Sequence, residues 1–285
     1  MPELPEVETI KNDLKKVVLN KRIAEVEVGK KKIIKGDYGD FLKVLKGNAF
    51  QDISRVGKLI IFHLKGGKYL LVHLKMTGQL VYDAGRGYVK GGHEIPGMID
   101  EFPNKYSHII FRFVDGSALY FNDMRQFGYL KIVGENELKA IKSEYGIEPL
   151  SGDFKFKDFK DIFKGRAAAV KSVLMNQKLV AGIGNIYADE ILFKSGIRPD
   201  RTAGSLANNE LRKIFKAAES VLKQAIKYRG TTFSDYVDSG GNKGNFTKFL
   251  KVYGREGEKC RECGRLIKKT KISGRGTRYC PKCQK

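Results

Sequence analysis

Residues 2–9 read Pro2-Glu3-Leu4-Pro5-Glu6-Val7-Glu8-Thr9, and the pattern that follows them sets the architecture of the first half of the chain. From Pro5 onward, apolar Val7, Ile10, Leu14 and Val17 recur at steps of three and four, the period of a helix with one buried face. Short runs of strand character come next, at 23–28, 59–64, 69–74, 108–113, 118–121 and 129–133. Gly-containing turns such as Lys65-Gly66-Gly67-Lys68 and Asp115-Gly116-Ser117 fit hairpins between them. One helix near 40–45 interrupts the series. The pattern predicts an antiparallel β-sandwich with flanking helices over residues 1–134.

Beyond residue 135 the period changes. Helical runs at 136–143, 156–163, 167–176, 185–194 and 205–228 predict a nearly all-α domain over 135–248, closing on a polar loop at about 230–246 that carries Gly240, Gly241 and Gly244. Residues 249–285 hold all four cysteines, as Cys260-x-x-Cys263, sixteen intervening residues, then Cys280-x-x-Cys283. Two such knuckles supply four thiolates for a closed tetrahedral zinc site, and a reducing compartment keeps them available. A pair of disulfides would need an oxidising compartment, which nothing in the sequence indicates. The expected fold class is therefore α+β and multidomain: sandwich, helical domain, zinc hairpin.

Composition names the partner. Lys and Arg number 54 against 32 Asp and Glu, a formal charge of +22, and a self-repelling excess of that size is relieved by a polyanion. Residues 251–285 alone carry twelve Lys/Arg and three Glu, a net +9 suited to a DNA-contacting finger. There is no run of about 18 apolar residues, and the N-terminus lacks the apolar core of a signal peptide. These features predict a cytoplasmic protein with no membrane partner, nucleoid-associated in a prokaryote.

The run at 2–9 resembles the N-terminus of the formamidopyrimidine-DNA glycosylases, in the family that also contains endonuclease VIII. The resemblance extends through Val72-His73-Leu74-Lys75-Met76-Thr77-Gly78, Asp123-Met124-Arg125-Gln126-Phe127-Gly128, the stretch from Gln177 through Gly182-Ile183-Gly184-Asn185 to Asp189-Glu190, Val252-Tyr253-Gly254 and the cysteine pairs. It covers effectively the full chain in the right order. It implies a helix-two-turn-helix for the helical domain, a lesion-capping role for the loop near 230–246, and double-stranded damaged DNA as partner to a monomer.

The resemblance also implies roles. Once Met1 is removed, Pro2 would present a secondary amine, and an α-amino group with a pKa of about 7.7–8.0 is partly neutral at physiological pH. It would attack C1′ of the damaged nucleotide and form an iminium, with Glu3 as acid/base and Lys58 touching phosphate and assisting β-elimination. Arg275, five residues before Cys280, would bind the phosphates flanking the lesion and assist the second elimination. Because a base inside a duplex must be extruded, Met76 would fill the void, Phe127 would wedge the stack and Arg125 would bond the orphaned partner base. His73, Tyr106, Arg166, Lys171 and Asn185 complete the implied DNA contacts, with Asn185 at a helix start where unpaired N–H groups face phosphate. Cys260, Cys263, Cys280 and Cys283 would hold one structural Zn²⁺. Glu6, by contrast, reads as a carboxylate stabilising the first turn of its helix.

The sequence departs from the family at several points. Met124 and Gln126 stand where many relatives carry proline and a basic residue, Tyr106 replaces a phosphate-binding histidine, and residues 81–104 form a longer, Gly-rich connection. Two other readings stay open: an endonuclease VIII-like enzyme for oxidised pyrimidines, and a non-catalytic zinc-bearing DNA-binding protein should Met1 be retained. Leu4-Pro5, Arg125 with Phe127, and the long loop favour oxidised purines, 8-oxoguanine and formamidopyrimidines, paired with cytosine.

Overall fold

The computed structural model describes residues 1–85, 87–92, 101–231 and 246–285. The chain divides into two compact units, Met1–Ser143 with Arg229–Asn245, and Glu144–Tyr228 with Phe246–Lys285. The greater part of the predicted capping loop, residues 232–245, lies outside the described residues.

The first unit opens with α1 (Leu4–Val18), which buries Leu4, Val7, Ile10, Leu14 and Val18. Each such side chain withdrawn from water contributes roughly 1.5–3 kcal/mol, enough to fix the helix against the sheets. There follow β1 (Ile23–Val28), α2 (Tyr38–Leu45), β2 (Phe50–Val56), β3 (Leu59–Leu64), β4 (Lys68–His73), β5 (Gly78–Asp83), β6 (Tyr88–Gly92), β7 (Ser107–Phe113), β8 (Ala118–Asp123), β9 (Tyr129–Gly134) and α3 (Glu135–Ser143). Two antiparallel sheets result, in the orders β1-β7-β8-β5-β6 and β2-β3-β4-β9. Their inner faces share one core, in which the Phe50 ring lies 4.7 Å from Phe62 of its own sheet and 5.8 Å from Phe111 of the other.

The β-sandwich is as expected, but three of its strands were not visible in the sequence. In β2 a register shift between Phe50 and Asp52 breaks the alternation, so Phe50 and Ile53 are the buried pair, at a spacing that does not read as a strand. β5 and β6 occupy the first part of the Gly-rich connection, pairing from Gln79↔Gly92 to Asp83↔Tyr88. Glycine is needed there because the chain passes beneath α1: a Cβ on Gly91 would lie 2.6 Å from Ile10 Cγ1. Helix α3, grouped by its period with the helical half, packs on β9 and β4 in the first unit.

The second unit contains α4 (Phe156–Phe163), α5 (Val170–Met175), α6 (Asn185–Ser195), α7 (Asn208–Lys227), β10 (Lys268–Ile272) and β11 (Arg275–Tyr279). α6 is buried almost all round, which marks it as the central helix, and its buried set includes two carboxylates, Asp189 and Glu190. Its apolar residues join Phe159, Phe163, Leu174, Ile214 and Leu222 in one core. A smaller core of Phe193, Val252, Ile267, Cys260 and Cys280 underlies the cysteine module. Among the described residues, no helix is long and apolar enough to cross a membrane.

Candidate active site and nucleic-acid interface

Pro2 and Glu3 are buried immediately ahead of α1. The Glu3 N–H donates to Glu6 Oε2 at 2.9 Å, so Glu6 satisfies one of the orphan donors at the helix start. Its other oxygen accepts the Thr231 N–H at 2.8 Å and the Thr231 hydroxyl at 3.1 Å. Both oxygens are therefore engaged in holding the chain. The adjacent Gly230 has φ +81°, and a Cβ there would come within 2.5 Å of Glu6 Oε1, so only glycine admits this approach.

The terminal amine, borne here by Met1, is partly buried, and burial lowers its pKa. The carboxylates of Glu3 and Glu6 act against that shift, while the charges of Lys58 and Arg125 add to it. Residues separated by more than a hundred positions in sequence thus act on the start of the chain, and the net effect favours the neutral form of the Met1 amine. Lys58 is itself buried, presented by a turn in which Gly57 has φ +53°. Sequence reasoning overlooked what holds that turn: Arg55 donates through Nε to Glu8 of α1 at 2.6 Å and through Nη1 to the Gly57 carbonyl at 3.2 Å. Burial alone would raise the Glu8 pKa, but the hydrogen bonds and charges of Lys11 and Arg55 outweigh it and keep the carboxylate ionised.

A second group surrounds the loops after β4 and β8. His73 Nδ1 accepts the Lys75 N–H at 3.0 Å, which leaves the proton on Nε2. Burial first, then the charges of Lys75 and Lys58, push its pKa down to about 3, so it is a neutral donor at any working pH. Met76 and Phe127 are 39% and 55% exposed, unusual for such side chains, and the Arg125 guanidinium lies over the Phe127 ring at 4.8 Å. Buried Asp123 organises this loop. One oxygen accepts from the Thr77 hydroxyl and, at 3.2 Å, from the Arg125 N–H; the other accepts from the Gly128 N–H at 2.7 Å. Tyr106 is half-buried just before β7, its ring 5.2 Å from Lys105 Nζ.

In the second unit Arg166 is exposed between α4 and α5, its Nε turned back to the Ile162 carbonyl, and Arg275 is exposed at the start of β11. Asn185 is the first residue of α6 and gives its side-chain N–H to the Gly276 carbonyl at 3.1 Å. Lys171 needs correction as a DNA contact. It is 1% exposed, and its ammonium meets Asp189 Oδ1 at 2.7 Å, Thr277 Oγ1 at 2.9 Å and the Gly276 carbonyl at 3.2 Å. With two hydrogen bonds and a buried ion pair inside its own unit, the ammonium presents no exposed face to a phosphate. The partner carboxyl, Asp189, is pushed up to about 6 by burial, offset only in part by Lys171 and Arg278. Sequence alone does not reveal this pair, since a lysine and an aspartate eighteen residues apart carry no signal of contact.

The sulfur atoms of Cys260, Cys263, Cys280 and Cys283 all lie within 4.8 Å of one another, with 3.9 Å between Cys260 and Cys283 and 3.4 Å between Cys263 and Cys280. Zinc–sulfur bonds of about 2.3 Å in a tetrahedron place sulfurs about 3.8 Å apart, so the cluster fits a structural zinc.

A buried chain start set among acids and bases, on a basic chain that also carries a four-thiol hairpin, is the arrangement of a zinc-finger protein suited to nucleic acid. Residues 1–130 match the formamidopyrimidine-DNA glycosylase N-terminal domain, 145–237 the formamidopyrimidine-DNA glycosylase H2TH domain, and 257–285 the zinc finger found in FPG and IleRS. The formamidopyrimidine-DNA glycosylase of Pelotomaculum thermopropionicum is 38% identical over 288 residues, covering 100% of this chain and 99% of the relative. A Lactococcus lactis FPG variant in complex with Fapy-dG-containing DNA superposes with a TM-score of 0.88 at 31% identity, covering 100% of both chains. The L. lactis Fpg complex with abasic-site DNA gives 0.86 at 31% identity, covering 99% of each. The chain belongs to the formamidopyrimidine-DNA glycosylase family.

Proposed function

We propose that this chain is a bifunctional DNA glycosylase and AP lyase of base excision repair that removes 8-oxoguanine and formamidopyrimidines from duplex DNA. The observation that carries this reading is the buried start of the chain, where Pro2 and Glu3 are both buried and the Met1 amine ahead of them feels Glu3, Lys58 and Arg125 together. With Met1 removed, the neutral Pro2 nitrogen attacks C1′, the glycosidic bond breaks and the base leaves with its electron pair. Glu3 moves protons as the sugar ring opens, giving an iminium between Pro2 and C1′. That cation withdraws electrons from C2′, so loss of a C2′ proton expels the 3′ phosphate, and a second elimination, assisted by Arg275, expels the 5′ phosphate.

Met76, Phe127 and Arg125 suit the emptied duplex: two exposed apolar side chains for the stack, and a planar donor fork for the orphaned base. Neutral His73, with Tyr106, Lys58, Arg166, Asn185 and Arg275, supplies donors to the backbone. The four cysteines hold one zinc ion, whose contribution is the folding free energy of the terminal module. We take the protein to act as a monomer in the cytoplasm, at the nucleoid in a prokaryote.

The test is borohydride trapping on duplexes containing either 8-oxoguanine opposite cytosine or an oxidised pyrimidine. A covalent complex forming faster on the first duplex is the expected result. Preference for the second would give the oxidised-pyrimidine reading, and no adduct on either would leave a non-catalytic DNA-binding protein.

A further inference from the structure

The buried pair Lys171–Asp189 plays no part in the chemistry above, and its cost calls for an explanation. Lys171, Asp189 and Thr277 are all 1% exposed or less. Taking two charges out of water costs several kcal/mol each, and a well-packed apolar pair of similar volume often serves stability as well or better. What the charged pair provides instead is direction, because the Lys171 ammonium and the Asp189 carboxylate both reach one short stretch of β11.

Asp189 Oδ2 accepts the Arg278 N–H at 2.9 Å, while Oδ1 holds Lys171. Lys171 reaches Thr277 Oγ1 and the Gly276 carbonyl, and Asn185, one turn before Asp189 on α6, donates to that same carbonyl. Thr277 Oγ1 in turn donates to the carbonyl of Arg275 at 3.1 Å. The peptide groups on the C-terminal side of Arg275 are therefore fixed from below, while its side chain stands exposed.

Outside this network the hairpin is held by the Ser172–Ser273 hydroxyl pair at 2.9 Å and by Lys269 on Glu256 at 3.0 Å, neither of which touches residues 275–277. A two-stranded ribbon is marginal on its own, and β10 is exposed along most of its length. The cysteine module packs through Cys260, Cys280, Val252 and Ile267 at the base, beyond Tyr279, and leaves the tip near Ser273 and Gly274 to other contacts. Arg278 is braced on the other side by Glu256, whose oxygens accept its guanidinium at 3.1 and 3.2 Å.

We infer that Asp189 is a positioning residue for the lyase reaction: with Lys171 it sets the height and register of the hairpin tip, and through Thr277 it fixes the backbone that presents Arg275. This rests on the reading of Arg275 as the group that assists the second elimination.

The test uses the full-length, zinc-loaded protein carrying Asp189→Asn, with Thr277→Val as a near-isosteric variant that removes only the hydroxyl link. The expected result is about a tenfold loss of the second elimination relative to the first on a preformed abasic duplex, with zinc content unchanged and the rate of borohydride trapping within about threefold of the parent. Arg275→Ala should lose as much, and Asp189→Asn added to Arg275→Ala should cost nothing more, because a residue acting through another is non-additive with it. An unchanged product ratio in both Asp189→Asn and Thr277→Val, or full additivity with Arg275→Ala, would overturn the inference. Should Arg275→Ala itself leave the ratio unchanged, the reading of Arg275 fails, and amide hydrogen exchange at 273–277 decides the positioning claim alone. Faster exchange in Asp189→Asn would uphold it, and unchanged protection would sink it.

Discussion

The two units position their functional groups by opposite means. At the start of the chain an apolar core does most of the placing: Leu4, Val7 and Ile10 pin α1, and the Arg55–Glu8 clamp then fastens the turn that carries Lys58 to that helix. In the zinc hairpin the core is small, and metal-binding thiols plus a buried ion pair do the placing. Apolar positioning leaves charges available for chemistry, whereas polar positioning consumes them. Lys171, assigned to DNA by motif alone, is consumed in this way, while Arg275 nearby in the same unit is left exposed. Basic residues in a DNA-binding protein therefore have to be sorted by what else they touch.

The largest effect expected is at the start of the chain. A chain whose Pro2 nitrogen is blocked by acetylation should lose borohydride trapping by at least about a thousandfold, since no amine is then left there to form the iminium, whereas Pro2→Gly keeps a terminal amine and should retain part of the trapping. Duplex affinity should stay within a few-fold, because phosphate contacts come from elsewhere. Normal trapping by the blocked protein would remove the N-terminal mechanism, and normal trapping by protein whose intact mass still includes Met1 would remove Pro2 as the nucleophile.

Stripping the metal tests the other side. Chelation, or Cys280→Ser, should unfold residues from about 256 onward and lower duplex affinity by roughly 10–100-fold, with a shallower salt dependence, because the module's net +9 is no longer presented as one surface. The sandwich has its own core and should melt at its usual temperature. Full affinity without zinc would show that the hairpin contributes nothing to binding.

The same contrast governs what could be read from the sequence. The helix at 4–18, the four thiols and the outline of the sandwich were legible because period and spacing are local signals. Glu3, Lys58 and Arg125 were singled out only by resemblance, and in the fold all three act on the Met1 amine. What stayed hidden depends on contacts across the chain: the bulge that disguises β2, the passage of Gly91 beneath Ile10, the Arg55–Glu8 clamp, and the Asp189 network. A side chain's partner decides its role in each case, and a partner tens of residues away leaves no periodic trace.

An intermediate effect is expected where polar positioning serves the first unit. Asp123 satisfies the N–H groups of Arg125 and Gly128 and the hydroxyl of Thr77. Asp123→Ala leaves the Gly128 N–H and the Thr77 hydroxyl without their acceptor, at about 1–3 kcal/mol each, while the Arg125 N–H keeps Thr77 Oγ1 at 3.0 Å. Thermal melting should show a loss of about 2–4 kcal/mol, and excision of 8-oxoguanine should fall more than cleavage of a preformed abasic site, because the loop carrying Arg125 and Phe127 acts on base extrusion. Equal loss of both activities would show that the loop serves the whole reaction rather than extrusion.

The smallest effect concerns pH and asks whether charge or burial tunes the nucleophile. Burial lowers the pKa of the Met1 amine, Glu3 and Glu6 oppose the shift, and Lys58 and Arg125 reinforce it, and the same groups are expected to act on the Pro2 amine once Met1 is gone. The attacking form is the neutral amine, so trapping on an abasic duplex should keep its rate to a lower pH than an ordinary terminal amine of about 7.7–8.0 would allow. The linkage has a definite sign. A lowered amine pKa means that the unfolded chain binds this proton more tightly, so the contribution to stability is present above the ordinary value and lost as pH falls through the folded one. Lys58→Met should remove one of the lowering charges and move the acidic limb of the trapping profile upward by less than about one pH unit, whatever it does to the maximal rate. A limb that stays in place in Lys58→Met would mean that burial alone sets the amine, and that in this unit even the charge closest to the chemistry is positioned for phosphate and not for the nucleophile.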